Sequence, residues 1–123
     1  MGARRRNTLL LIERDQTRRL RLGTAILREG WQLAMLERGA DALQAAGYIK
    51  PSVILCDLDD DANLRHIEAL RANGCANATI IGLVSQNSVE NPGTVDAIIT
   101  RPVKPPELFE LIADCEKRHA AAE

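Results

Sequence analysis

Aromatic residues are scarce in this chain: one tryptophan, one tyrosine and one phenylalanine among 123 residues. Single-stranded nucleic acids bind by stacking their bases on aromatic side chains, so a surface of that kind is excluded. An excess of basic residues is also lacking, because sixteen lysines and arginines are matched by seventeen acidic residues, which gives a net charge of −1. Nucleic-acid-binding domains carry a clear basic excess. We therefore expect no nucleic-acid partner for this domain.

Long apolar runs and paired cysteines are lacking too. No segment approaches the roughly 18–20 apolar residues needed to cross a bilayer, and the apolar stretch 9–12 behind the basic start is too short for a secretion signal. The three cysteines, Cys56, Cys75 and Cys115, lie far apart and form no C-x-x-C motif. This pattern is typical of a reducing compartment and of chains without a cysteine metal site. We predict a cytoplasmic protein that makes no membrane contact.

The remaining composition is that of an ordinary globular domain, with 46% apolar and 27% charged residues. The length is typical of one domain with a single core. We find no internal repeat, no linker and no low-complexity segment away from the two ends. The prediction is a single domain over residues 1–123, with a basic disordered tail at 1–6 and a C-terminal tail at 119–123.

Apolar runs and amphipathic segments alternate along the chain. Short, continuously apolar runs predict strands that are buried on both faces, whereas helical spacing between a capping residue and a glycine predicts helices. Alternation of the two predicts a doubly wound parallel sheet. The predicted strands are 8–12, 31–36, 52–56, 79–84 and 95–100; the predicted helices are 16 to the glycine at 30, 40–46, 63–72 and a last one from 105.

The alternation breaks between Val84 and Val95. The ten residues between them contain one apolar side chain, a Pro92-Gly93 pair and two asparagines, which favour turns. A crossover between parallel strands normally needs a dozen or more residues and usually contains a helix. We therefore predict that residues 85–94 are irregular and that the helix of this crossover is largely missing.

Polar side chains gather where the predicted strands end. In open α/β sheets, ligands bind beyond the carboxyl ends of the strands, at the point where the strand order reverses. Carboxylates there can hold Mg²⁺, and a cation can hold a phosphoryl group. The predicted site consists of an acidic pocket and candidate metal ligands (Glu13, Asp15, Asp57), two pocket cations (Arg14, Arg101) and a candidate phosphate-binding hydroxyl (Ser85).

With these motifs in this order, the chain resembles the response-regulator receiver domain, the CheY-like fold of bacterial two-component signalling. The resemblance covers about residues 7–118 and rests on the segments LLLIERD, GWQL with GADAL, PSVILCDL, and VDAIITRPV followed by PELF. It implies a five-stranded parallel sheet in the order 2-1-3-4-5. It also places Asp57 at the family's phosphorylated aspartate, and it implies protein partners, either a sensor kinase or a downstream regulator.

Several departures from the family pattern concern phosphorylation or its readout. The second residue of the family's opening acidic pair is here Arg14, and the family's lysine is matched by Arg101. The switch hydroxyl aligns with Val84, which leaves Ser85 one place late, and the switch aromatic aligns with Ile98. The chain is therefore similar to an atypical receiver, or pseudo-receiver.

The prediction that follows is a protein-interaction module without enzymatic activity, impaired in or independent of aspartyl phosphorylation. Because Arg14 stands where the family has a pocket carboxylate, we expect it to pair with Asp57 or Glu13. An arginine beside a carboxylate favours the charged form of that carboxylate. No cofactor is then required, and Mg²⁺ is expected to bind only weakly.

Two alternatives stay open at this stage. One is a phosphorylation-competent response regulator that uses Asp57. The other is a small phosphatase, because Cys56 to Asp60 also resembles the D-x-D motif of haloacid-dehalogenase-type enzymes, with Asp57 as nucleophile and Asp59 as acid. That family carries its motif on the first strand, whereas two strand-helix units come before it here.

The missing crossover helix also suggests a protein interface. Its loss is expected to expose apolar atoms around Ile81, Leu83, Ile98 and Leu108, and exposed apolar patches mark interaction sites. We therefore predict a homodimer, or partner docking, on the face formed by the fourth strand, the fifth strand and the last helix.

Overall fold

The computed structural model describes residues 8–86 and 91–122. Within these ranges the chain forms five strands and four helices. In chain order they are β1 (Thr8–Ile12), α1 (Gln16–Arg28), β2 (Gln32–Leu36), α2 (Gly39–Ile49), β3 (Val53–Asp57), α3 (Ala62–Ala72), β4 (Thr79–Val84), β5 (Ala97–Thr100) and α4 (Pro105–Ala122).

The five strands form one parallel sheet in the order β2-β1-β3-β4-β5. This confirms the predicted fold class and strand order. The order reverses between β1 and β3, so the carboxyl ends of these two central strands flank the crevice where a doubly wound sheet binds ligands. No helix in the described ranges is long and apolar enough to cross a membrane.

Alternating side chains of the central strands feed two apolar layers, one on each face of the sheet. Leu10 and Ile12 of β1 pack with α2 and α3, whereas Leu9 and Leu11 pack with α1 and α4. This two-residue period is the geometry of a strand. It explains why the strands read as continuous apolar runs rather than as alternating ones.

Two predicted helix ends are wrong. The helix α2 continues past Gly47 to Ile49, and the C-cap residue Lys50 adopts a left-handed conformation with φ of 49° just before Pro51. The helix α4 continues to Ala122, so 119–122 belong to it and not to a C-terminal tail. Its end is rich in alanine, the strongest helix former, and His119 contacts Asp96. The predicted tail at 1–6 lies outside the described residues.

The crossover between β4 and β5 contains no helix in its described parts, 85–86 and 91–96. Residues 87–90 of the predicted irregular segment lie outside the described ranges. The side chain of Leu58 takes up space on this face of the sheet: it lies directly over Gly82, and Ile98 flanks it. Part of the cover that a crossover helix gives to a sheet therefore comes from the residue after β3.

The expected exposed patch on this side is wrong for three of its four residues. Ile81, Leu83 and Leu108 are fully buried, and only Ile98 is partly exposed. The reason is the strand period, since Ile81 and Leu83 point to the opposite face of the sheet, where Leu108 of α4 covers them. The predicted homodimer through this face stays a prediction, without the patch that motivated it.

A cluster of polar contacts anchors the start of β5 at the other end of the sheet. The Arg71 guanidinium donates hydrogen bonds to the carbonyl oxygens of Thr94, Ala76 and Ala78 and pairs with the Asp96 carboxylate at 3.0 Å. Asp96 also accepts the backbone N–H of Ile80, 2.7 Å away. The cluster ties α3, β4 and the β4–β5 crossover together.

Replacing Asp96 with asparagine is expected to lower the free energy of unfolding by about 1.5–3 kcal/mol near neutral pH, the range for hydrogen bonds to charged groups. Burial opposes the ionisation of Asp96, but the Ile80 N–H and the Arg71 guanidinium outweigh it and hold the pKa of Asp96 below its ordinary value. This contribution is present above the unfolded-state pKa of about 3.9 and is lost as the pH falls below it.

Urea unfolding at a series of pH values measures this effect. The loss of stability between about pH 5 and pH 2 should be shallower in Asp96→Asn than in the wild type. The control is Glu68→Gln at an exposed position of α3. It should change neither the free energy of unfolding near neutral pH nor its decrease in acid. Equal acid sensitivity of Asp96→Asn and the wild type would contradict the assignment.

Candidate functional site

The carboxyl ends of β1, β3 and β5 bring three charged side chains together. Glu13 directly follows β1, Asp57 ends β3, and Arg101 directly follows β5. Backbone hydrogen bonds extend the sheet past the strand ends, since the Glu13 N–H donates to the Leu36 carbonyl and the Arg101 N–H to that of Val84. Glu13 and Asp57 are only 1% and 4% exposed. The site is thus built on the rigid sheet.

The Arg101 guanidinium lies between three carboxylates. Its Nη2 atom lies 2.5 Å from Oε1 of Glu13 and 3.2 Å from Oδ1 of Asp57. Its Nη1 atom lies 2.7 Å from Oδ2 of Asp59. Since the Arg101 side chain is itself only 10% exposed, these charges face one another with little water between them. The predicted pocket cation Arg101 therefore lies at the centre of the pocket.

Further hydrogen-bond donors contact both oxygens of the Glu13 carboxylate. Arg18 of α1 donates from Nε to Oε1 and from Nη2 to Oε2, at 3.3 and 3.2 Å. The backbone N–H of Asp15 donates to Oε2 at 3.1 Å, and Arg19 binds the Glu13 carbonyl oxygen at 2.9 Å. Glu13 is therefore a buried side chain whose two carboxylate oxygens both accept hydrogen bonds.

The structure does not bring Arg14 into the pocket. Its side chain is exposed and forms no ion pair with any described residue. The expected pairing of Arg14 with Asp57 or Glu13 is therefore wrong. Consecutive residues at the end of a strand point to opposite sides, and because Glu13 turns into the pocket, Arg14 turns away from it.

Asp15 and Ser85 lie at the rim and make contacts other than those predicted. Asp15 is exposed and caps α1, since its Oδ1 atom accepts the backbone N–H of Arg18 at 2.8 Å; this bond lowers the pKa of Asp15. The Ser85 hydroxyl donates to Oδ2 of Asp59 at 2.5 Å and its N–H to Oδ1 at 3.1 Å. The hydroxyl is thus already bound to a carboxylate, which is not a phosphate-binding arrangement.

Four residues of this network are not among the predicted site residues. Arg18, Arg19 and Asp59 are described above, and Asn63 is 3% exposed. Its amide nitrogen donates to the Asp57 carbonyl oxygen at 2.8 Å, and its Oδ1 atom accepts the N–H of Gly39 at 3.0 Å. The sequence indicates Asp59 only through the D-x-D alternative, in which it is the acid, and no sequence signal points to Asn63.

Asp57 and Asp59 are electrostatically different. Burial raises the pKa of Asp57, although the hydrogen bond from the Asp59 N–H and the charge of Arg101 oppose the change. Burial acts in the same direction on Asp59, but its hydrogen bonds from Ser85 and the nearby Arg101 prevail and lower the pKa of Asp59. A general acid must hold a proton, so this lowered pKa disfavours the phosphatase role considered for Asp59.

The arrangement does not fit the Mg²⁺ site that the resemblance implies. A magnesium ion needs several oxygen ligands in near-octahedral geometry. Here the inner oxygens of Glu13, Asp57 and Asp59 face a guanidinium, which would repel a second cation. Among the described residues, no group of three or more acidic, histidine or cysteine side chains is arranged to hold a metal ion.

Comparison with known proteins establishes the fold. No family model and no curated protein matches the sequence. Among solved structures, the receiver domain of a response regulator from Methylobacillus flagellatus matches with a TM-score of 0.80 at 18% identity, over 90% of this chain and 99% of that one. A chemotaxis response regulator of Vibrio cholerae matches with a TM-score of 0.79 at 16% identity, over 89% and 98% of the two chains.

A third similar structure is the receiver domain of a sensor histidine kinase from Pseudomonas aeruginosa, with a magnesium ion in its active-site cleft. It matches with a TM-score of 0.77 at 17% identity, over 91% of this chain and 98% of that one. At such identities the likeness concerns the fold. The chain therefore has the fold of CheY-like receiver domains, and the predicted resemblance is confirmed at that level.

Proposed function

We propose that this domain is a receiver-like signalling module that acts through protein contacts and does not depend on phosphorylation of Asp57. The receiver fold supports a role in two-component signal transduction, with a sensor kinase or a downstream regulator as partner. The observation that carries the proposal is the position of Arg101, whose guanidinium binds all three pocket carboxylates. The domain performs no turnover of its own.

The chemistry of phosphoryl transfer explains why this position matters. The reaction needs charge neutralisation on the phosphoryl oxygens, usually by a metal ion, and an attacking oxygen aligned with the leaving group. In this chain Oδ1 of Asp57 accepts hydrogen bonds from the Asp59 N–H and from Arg101. An incoming phosphoryl group would have to displace Arg101 and approach two further carboxylates. Asp57 keeps the family position of the acceptor without its usual surroundings.

We expect the wild-type protein to stay unmodified when it is incubated with acetyl phosphate and MgCl₂, because Arg101 excludes the metal and holds Asp57. Intact-mass spectrometry measures the outcome directly, with a phosphorylatable receiver domain run in parallel as the positive control. A mass increase of one phosphoryl group that disappears in Asp57→Asn would overturn the proposal. It would favour a phosphorylation-competent regulator instead.

A further inference from the structure

A narrow apolar stripe on α1 remains exposed beside the edge strand β2. Leu20 and Leu27 are 50% and 56% exposed, although both are large apolar side chains. Gly23 lies three residues after Leu20 and four before Leu27, and therefore on the same side of the helix. Met35 of β2 packs over Gly23, since a Cβ atom there would lie 2.8 Å from the Met35 Sδ atom. With Met35 itself 39% exposed, the three side chains form one surface, the α1–β2 patch (Leu20, Leu27, Met35).

Positive charge borders the α1–β2 patch. The helix α1 contains four arginines and no acidic residue. Arg18 and Arg19 form ion pairs with glutamates. Arg21 and Arg28 each follow one of the exposed leucines, are themselves exposed, and form no ion pair with any described residue. The patch is thus apolar at its centre and basic along its outer side.

The opposite charge lies on α4. Glu107, Glu110 and Asp114 are spaced three and four residues apart, so they share one side of the helix. All three are exposed, and none forms an ion pair in the part of the chain that is described. The whole chain has a net charge of only −1. These three carboxylates have the opposite sign to Arg21 and Arg28 of α1, although the exposed Lys117 lies one turn beyond Asp114. A net charge near zero promotes association.

We infer that the α1–β2 patch of one molecule binds the acidic face of α4 (Glu107, Glu110, Asp114) of a second copy of this chain. Arg21 and Arg28 then approach carboxylates of the other copy, and the contact removes Leu20 and Leu27 from water. The two faces differ, so the contact is head-to-tail, and each molecule keeps one free face of each kind until a ring closes. Neither face contains a pocket residue, so the inference does not depend on the proposed function.

Sedimentation equilibrium tests this association from about ten micromolar to about one millimolar protein, because contacts of small area are weak. The expected result for the wild type is a mass that grows with concentration beyond that of a dimer. Raising the salt from about 50 mM to about 500 mM should reduce it, since exposed charges are screened. A monomer at every concentration would overturn the inference.

Two double variants identify the faces. Leu20→Gln with Leu27→Gln removes the apolar centre, and Glu110→Lys with Asp114→Lys reverses the acidic face. Each variant alone should associate at least about tenfold more weakly than the wild type, as expected for central contact residues. Each also keeps the face that the other has lost. Their mixture should therefore form a 1:1 complex that does not grow further.

The matched control is Leu43→Gln with Tyr48→Gln, which replaces exposed apolar residues of α2, 39% and 90% exposed. It should associate like the wild type, and far-UV circular dichroism should show native folding for all variants. Association that neither double variant weakens, or a mixture without a 1:1 complex, would overturn the inference. So would a wild type that does not self-associate but binds phosphatidylserine-containing vesicles through Leu20 and Leu27, which would assign the patch to a membrane surface.

Discussion

Replacing Arg101 with methionine is expected to destabilise the folded domain by about 3–5 kcal/mol near neutral pH, because removing one partner of a buried ion pair leaves uncompensated charge behind. Without the guanidinium, Glu13 keeps Arg18, but Asp57 loses its only ion-pair partner in the described residues. A total stability of 5–15 kcal/mol is typical of a domain, so about 3–5 is a large fraction. Urea unfolding followed by far-UV circular dichroism measures the change.

The loss of folding stability in Arg101→Met should become smaller under two conditions. Burial already raises the pKa of Asp57, and without Arg101 this pKa rises further. Lowering the pH from neutral therefore protonates Asp57 and favours the folded variant. Addition of about 10 mM MgCl₂ should also stabilise this variant, and not the wild type, because a ligand stabilises the state that binds it. The freed carboxylates then offer the oxygen ligands that Mg²⁺ requires.

Two further variants control for charge and position. Arg101→Lys keeps the charge, but one ammonium group cannot reach three carboxylates as a planar guanidinium does, so an intermediate loss is expected. Arg14→Met removes the exposed arginine that follows Glu13 and points away from the pocket, and it should change the free energy of unfolding by less than about 0.5 kcal/mol. Equal effects of Arg14→Met and Arg101→Met would refute the central role of Arg101.

The fold was predictable because it depends on patterns that are local in sequence. Continuous apolar runs such as Thr8–Ile12 and Thr79–Val84 permit few alternatives to buried parallel strands, and both strands have the predicted bounds. The turn-forming composition around Pro92 likewise indicated a crossover with little room for a helix. Each of these features depends on a single segment of the chain, so a single sequence is enough to predict it.

The sequence predicts where the pocket lies, but it does not predict which arginine pairs with the carboxylates in it. Strand ends gather in one crevice by topology, which correctly brings together Glu13, Asp57 and Arg101. Which arginine enters depends on side-chain direction: Glu13 faces inward, so Arg14 faces outward, whereas Arg101 approaches from the far side of the crevice. The alternation of side chains along a strand explains why Arg14 faces outward, and it also explains why Ile81 is buried. The position of Arg101 depends on three separate segments, which no local pattern encodes.

Replacing Gly82 with alanine is expected to lower the free energy of unfolding by about 1–3 kcal/mol, the range for overpacking a filled site. Gly82 is central in β4, where it is the register partner of Cys56 on β3 and of Ile98 on β5. A Cβ atom on Gly82 would overlap Leu58 Cδ1 and lie 3.0 Å from Leu58 Cγ. Leu58 would therefore have to leave the surface that it covers.

A double-mutant cycle separates this clash from any other effect of the alanine. In a Leu58→Ala background the added methyl group has room, so the cost of Gly82→Ala should fall to less than about 0.5 kcal/mol, and the two substitutions should be coupled by about 1 kcal/mol or more. Gly47→Ala is the matched control, because its Cβ atom would meet no atom within 4 Å. In the interior of α2 it should stabilise by about 0.4–1 kcal/mol. An unchanged cost of Gly82→Ala beside Leu58→Ala would mean that Leu58 does not cover this face, and the β4–β5 crossover would then have to supply the cover by itself.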